Sequence, residues 1–589
     1  MSSPKQHDDS AMTRRACLVG LVIGWFFGIG CLVLGSIFLY LEVRDGTDMA
    51  TRIGLSHNWR EFLTLFLNAI VTQLTDSMGY IHACTLRWAL HSEGLLDFNS
   101  NLRLFRVSKY SKANGWLANG INFAGILLAY GSTSLIFLCL NPELARLLDH
   151  KYESDEVEGV HINSIAVMML GAGLLAQAII ATWAVGTTHI PTWSSNPLDV
   201  VRACIMDEHV GHRIEPRLGR CMMSVHLAKE DAQSLRPSPK QGPMIKADIR
   251  IFRILLVLWA TPIIGVLWGG VIYQSIVKGY HHGVLGRSWA MIPIFTGITD
   301  VNCDTSHCTD GSSVLHVIWT ANNGTQGVLF GVFLILAAQS IVTVFLLCAE
   351  LIVNLSRDEE IYRELIGPKG TNSHFNSVWA AMTSWKMILL FALKACVHWM
   401  FGLAINMQFQ LGVNIYPPQV FYFAIFALIT AIFGLYLSCR QPEGYLPATY
   451  GHIQTMADVI DEWSDSGCMF WGEKDPGDRH RGIPGYTGTS TERLPAPDER
   501  QFYGGQRELT DFSTLRRKGS KMSVSSRASR SNRPSIAAAT AAAPWTSYPQ
   551  QRPGHEYRTD SVHSAHSGYS SFMAVGNKST EPLVPGYHN

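Results

Sequence analysis

Charge is scarce in this chain. Only 16% of its 589 residues are Asp, Glu, Lys or Arg, and the formal net charge is +1. Such a balance builds no basic face, and no nucleic-acid partner is expected. Catalytic signatures are missing as well: there is no HExxH, no GxSxG, no P-loop and no GxGxxG between a strand and a helix. His209 and His212 sit near Cys204 and Cys221, and His281, His282 and His307 are scattered, a set that matches no closed zinc pattern. No catalytic, cofactor or metal residues are therefore assigned.

What the chain has instead is apolar length. Eight runs, at about 16–41, 62–84, 115–140, 162–186, 254–277, 327–353, 387–407 and 420–439, each approach the roughly twenty residues that cross a hydrocarbon core about 30 Å thick. A signal peptide has a shorter apolar core and a small-residue cleavage site, so the first run reads as a retained span. The expected architecture is all-α: a cytoplasmic amino terminus (1–15), an eight-span domain (16–439), a juxtamembrane amphipathic segment (440–475) and a disordered cytoplasmic tail (476–589). Gly20, Gly24 and Gly28 line one face of the first run, which suits close helix packing.

Two independent signals orient the spans. With the amino terminus inside, the inner segments hold 22 Lys and Arg against 7 in the outer loops. The loop 278–326 then falls outside. It carries Cys303 and Cys308, a candidate disulfide, and the acceptor triplet beginning at Asn323, both suited to an oxidising compartment. Closing so short a ring stabilises by roughly 2 kcal/mol in the chain-entropy model. The plasma membrane is favoured over endomembranes.

The second run is the most polar and the most informative. Thr64, Asn68, Thr72 and Asp76 recur every four residues and form one stripe on the helix, which Tyr80 extends. Such a stripe faces other helices or water, not lipid. In the seventh run Lys394, His398, Gly402 and Asn406 share a face in the same way. Asp76 and Lys394 each lie about eight residues from the inner end of their spans, hence about 12 Å deep, and are candidate partners. Glu350 is shallower, and the lysine stem reaches it by snorkelling. The set Thr64, Asn68, Thr72, Asp76, Glu350, Lys394 and His398 reads either as a buried network fixing helix register or as a polar path for a proton or ion.

Beyond the last span, Ile453, Met456, Ile460 and Trp463 repeat at three to four residues. They form an amphipathic helix that lies on the bilayer or docks on the loops. Further on, the stretch RRKGSKMSVSSRASRSNRPS is basic and Ser-rich. It suits anionic lipid or cytoplasmic protein partners, with Ser520 a candidate phosphorylation site because Arg517 precedes it by three residues.

At TWSSNPLD (192–199), and again at ATYGHIQTMADVIDEW followed by MFWGEK (448–474), the chain resembles a group of polytopic membrane proteins from filamentous fungi. The resemblance implies a membrane protein of about eight spans and carries no activity with it. From the residues, a non-catalytic scaffold or sensor with a regulatory tail is expected, the alternative being a solute, ion or proton-coupled transporter.

Overall fold

A computed structural model describes residues 11–45, 51–53, 57–138, 160–206, 239–279, 289–291, 315–318, 324–371, 377–408, 412–464, 468–478, 480–481, 483–501 and 503. Cys303, Cys308, Asn323 and Ser520 lie outside the described residues.

The chain is mainly helical, as expected. Its helices are α1 (Ala11–Asp45), α2 (His57–Ser92), α3 (Trp116–Ile136), α4 (Ser164–Thr187), α5 (Pro197–Met206), α6 (Ile249–Gly279), α7 (Gly324–Tyr362), α8 (Ser377–Thr383), α9 (Trp385–Ala404), α10 (Pro417–Cys439) and α11 (Ile453–Val459). Six of them (α1, α4, α6, α7, α9 and α10) are long and apolar enough to cross a membrane, which fits a multi-pass membrane protein. Large apolar side chains on the bundle perimeter point outward, among them Phe26 at 73% exposure and Phe333 at 69%. A water-facing surface avoids such a belt, whereas a bilayer requires it. The more polar α2 and α3 are helical where the second and third runs stand.

Helix α4 is gripped on two faces through glycine. A Cβ on Gly171 would lie 2.7 Å from the Gly28 carbonyl oxygen of α1, and one on Gly173 would lie 2.7 Å from the Gly125 carbonyl oxygen of α3. The three backbones approach this closely because no side chain intervenes, and close van der Waals packing is what holds helices together where lipid removes the hydrophobic drive. The glycine face of α1 divides its partners: Gly24 meets Met78 of α2, while Gly28 meets α4.

At one end of the bundle the helices run into short strands that periodicity does not reveal. β1 (Thr51–Ile53) and β2 (Phe137–Leu138) flank β3 (Val160–Ile162), and β4 (Leu315–Ile318) and β5 (Ile405–Gln408) flank β6 (Gly412–Ile415), all antiparallel. Ile162 faces both Thr51 and Phe137, and Ile415 faces both Leu315 and Ile405. The seventh run, expected as helix to 407, therefore turns to strand after Ala404. Asn406 sits in β5 opposite Asn414, off the Lys394/His398 helix face.

At the other end the loops and the segment after α10 form an ordered cap. The Arg363 guanidinium donates to the carbonyls of Glu443 (2.7 Å) and Leu446 (2.9 Å) and to the Glu359 carboxylate (2.8 Å). The other oxygen of Glu359 accepts the backbone N–H groups of Thr449 (2.9 Å) and Tyr450 (2.8 Å). Tyr450 takes φ 47° and Gly451 φ 78°, left-handed backbone that turns the ATYGH segment onto the end of α7. The Tyr450 hydroxyl donates to the Gly242 carbonyl at 2.6 Å, and burial together with the neighbouring Glu359 carboxylate pushes its phenol above the ordinary range. Asp358 accepts from Asn99 and Ser100, both at 3.0 Å. Arg87, Trp88 and Tyr80 of α2 donate to the carbonyls of Ser194, Thr192 and Trp193, which fastens the TWSSNPLD segment along that helix.

Helix α11 docks on this cap with Ile453, Met456 and Ile460 buried, so of the two expected placements the docked one holds. The boundary expected at 475 is corrected. β7 (Phe470–Asp478) pairs with β8 (Ile483–Ser490) as a hairpin, and ordered chain continues to Tyr503. The Tyr503 ring sits 6.1 Å from that of Trp471, and its hydroxyl donates to the Tyr445 carbonyl. Lys474 donates to Asp461 (2.7 Å) and Glu462 (3.0 Å). Its partial burial opposes the charge, but these bonds outweigh that and hold the ammonium above its ordinary range. Gly, Pro and charge in these strands hide them from a composition reading.

The glycine grip predicts that Gly173→Val lowers thermal stability in detergent by an amount typical of overpacking, about 1–3 kcal/mol. Gly120→Ala, where an added Cβ meets nothing within 4 Å, is the control. It is expected to leave the melting temperature unchanged or slightly higher, as read by fluorescence-detected size exclusion after heating.

Candidate functional site

Four charged side chains from four parts of the fold meet inside the bundle. Lys394 of α9, 5% exposed, donates to Asp76 Oδ1 of α2 at 2.7 Å and to Glu350 Oε2 of α7 at 2.9 Å. Arg103, from the segment between α2 and α3, places Nη1 3.6 Å from Glu350 Oε1. Both partners expected for Lys394 are thus engaged at once, and the set of two cations and two carboxylates is neutral. Desolvating an ammonium is costly, and here two carboxylates in hydrogen-bond contact offset it. Arg103 was not expected among the site residues, because in the sequence it is one of several basic residues in a polar loop. The only local signal is Gly79 on α2, where an added Cβ would collide with the Arg103 guanidinium.

The rest of the stripe does different work. Thr64 donates to the Arg60 carbonyl and Asn68 to the Thr64 carbonyl, both at 2.9 Å. Thr133 of α3 donates to Asn68 Oδ1 at 2.9 Å. Asn68 and Thr72 are 1% and 0% exposed, so this part of the stripe is dry helix–helix contact. His398 does not touch Lys394's partners. Its ring stacks on Tyr130 of α3 at 3.6 Å between centroids, and Gln339 of α7 lies 2.7 Å from its Nδ1. The seven expected residues therefore divide: Asp76, Glu350 and Lys394 come together, Asn68 ties α2 to α3 and His398 ties α9 to α3 and α7, while Thr64 bonds within its own helix and Thr72 is buried.

A cavity of about 580 Å³ opens against the charge quartet. Asp76, Glu350, Lys394 and Arg103 stand on its wall, with Arg87 and Arg357 nearer the cap. Thr64, Asn68, Thr72 and His398 are not on it. The cavity has room for a ligand or a counter-ion beside the quartet, whereas Asn68 and Thr72, further along the stripe, are buried away from it.

Breaking the quartet has a direction. Lys394→Met leaves two half-buried carboxylates without their shared cation and is expected to lower stability in detergent by less than the ~3–5 kcal/mol typical of breaking a fully buried pair. Adding Asp76→Asn is expected to recover part of that loss, as a double-mutant cycle by thermal unfolding would show. Additive losses would mean that the two groups are independently solvated. A comparison with protein-family models, curated proteins and solved structures finds no match.

Proposed function

We propose that the chain is an eight-span membrane protein of the plasma membrane with both termini cytoplasmic, and that it works as a non-catalytic sensor or scaffold. The observation that carries this reading is the cavity, walled by the charge quartet and by the loops of the ordered cap. Ser195, Asn99 and Ser377 line the cavity and also bond to one another's segments: Asn99 donates to the Ser195 carbonyl, and Ser377 Oγ accepts the Ser195 N–H at 2.9 Å. An occupant of the cavity therefore touches the same residues that hold the cap, and the cap leads directly into the basic, Ser-rich tail with Ser520. A bound ligand would bias the cap, and the tail would present the result to cytoplasmic proteins or anionic lipid.

Support for eight crossings comes from α2 and α3. They occupy the expected second and third runs and are paired by their polar faces inside the bundle, which explains why their hydropathy is low. Transport remains the second reading, favoured by one observation, that a carboxylate and an ammonium reach the cavity wall. Against it stands the dry stripe above them.

Full-length protein in liposomes, with an imposed proton gradient read by an encapsulated pH dye, separates the two readings. The sensor reading expects leakage indistinguishable from protein-free vesicles. Flux that Asp76→Asn abolishes would replace it with proton-coupled transport. The arrangement of the outer loop has its own test in cells of the source type: Asn323→Gln is expected to remove a glycosidase-sensitive mass shift, and a shift that persists would contradict the orientation.

A further inference from the structure

The cavity has an unbalanced wall. Four cations line it, Arg87, Arg103, Arg357 and Lys394, against two carboxylates, Asp76 and Glu350. Arg103 and Lys394 are neutralised within the quartet. Arg87 donates only to backbone carbonyls, those of Asn99 and Ser194 at 3.1 Å each. Among the described residues neither Arg87 nor Arg357 has a carboxylate within ion-pair distance, and Arg357 Nε has no hydrogen-bond partner. Both guanidiniums line the cavity and lie within electrostatic range of the Tyr80 phenol and of the Asp358 carboxylate, which is itself bonded to Asn99 and Ser100. Ser195 Oγ and Arg103 Nε, on residues of the same wall that are 2% and 6% exposed, are buried polar atoms without a partner as well. Buried donors left open in this way are costly unless an occupant or water meets them.

The same lining also has apolar members: Leu351 of α7, Met382 of α8, and Met387, Ile388 and Phe391 of α9. A simple inorganic ion would use none of this surface. A guanidinium pair beside an apolar wall matches an amphiphile whose head carries phosphate oxygens, since planar guanidinium forks bind phosphate bidentately. On the proposed topology the cavity lies at the inner ends of the spans, where the resident phosphates are those of inner-leaflet lipids.

We propose that this cavity binds a phosphate-bearing amphiphile, an anionic phospholipid of the inner leaflet, with the phosphate on Arg357 and Arg87 and the first methylenes of the acyl chain against Met387 and Ile388. The inference deepens the sensor reading by giving the class of ligand sensed, and it rests on that reading for its topology.

The test uses the full chain in a non-ionic detergent, titrated with dioctanoyl phosphatidic acid, dioctanoyl phosphatidylcholine or inorganic phosphate, with binding read by microscale thermophoresis. Phosphatidic acid is expected to bind at least tenfold more tightly than phosphatidylcholine, and Arg357→Gln to weaken it at least tenfold. Arg357 makes no ion pair among the described residues, and the melting temperature of this variant is measured alongside, so that weaker binding by a protein that still folds is read as the loss of a ligand contact. Ser195→Ala is a second variant, expected to weaken phosphatidic acid by a smaller factor. Equal binding of the two lipids, or binding that Arg357→Gln leaves unchanged, would overturn the proposal. Inorganic phosphate binding as tightly as phosphatidic acid would overturn the lipid assignment in favour of a soluble phosphate. The liposome flux measurement is read separately: flux with selective phosphatidic acid binding would sink the sensor reading and leave the site standing.

Discussion

An ammonium held almost out of reach of solvent in an apolar bundle must be neutralised from within. Lys394 is that group, and its two carboxylate partners come from α2 and α7, with Arg103 balancing the second of them. The need to compensate one charge thus draws three helices and a loop to a single point. In lipid the constraint is sharper than in water, because a helix that slid by one turn would strand a charge without solvent to receive it. The neighbouring dry contacts, Asn68 with Thr133 and His398 on Tyr130, keep the same helices in the same register by a second, uncharged means.

The C-terminal turns of α7, about two turns beyond Glu350, show the same logic with backbone in place of side chains. Asp358, Glu359 and Arg363 stand within two turns, and between them they engage the segments 97–100 and 443–450. One helix therefore carries both the charge that closes the bundle and the charges that seat the cap. The cavity lies between these two clusters, and that position couples its contents to both.

Much of this was legible in the sequence, and the part that was not has identifiable reasons. Four-residue spacing exposed the stripe of α2, and a charge inside an apolar run is rare enough that Asp76, Glu350 and Lys394 stood out as one set. Arg103 did not, because a basic residue in a loop is unremarkable until the fold lays it across Gly79. The sharing of roles between His398 and Lys394 was hidden as well, since one helix face can meet two different neighbours. Strands of two to four residues have no periodicity to read. The cap was only half visible: the apolar repeat at Ile453, Met456 and Ile460 marked α11, but its fastening uses backbone N–H and carbonyl groups, which every sequence has. The part of the hairpin beyond 475 reads as tail because Gly, Pro and charge outnumber large apolar anchors there, and Trp471 and Tyr503, whose rings pack together, are far apart in sequence.

The cap also sets the order in which the molecule can be finished. Glu359 takes its backbone donors from Thr449 and Tyr450, the latter 91 residues further along the chain. During synthesis the helices up to α10 are made before those donors exist, so until they arrive the Glu359 carboxylate has Arg363 on one oxygen and neither backbone donor on the other. The segment after α10 is in this sense the closing clasp of the fold. A chain ended after the final span would keep α1 to α10 and lack α11, the hairpin and the donors that meet the second oxygen of Glu359.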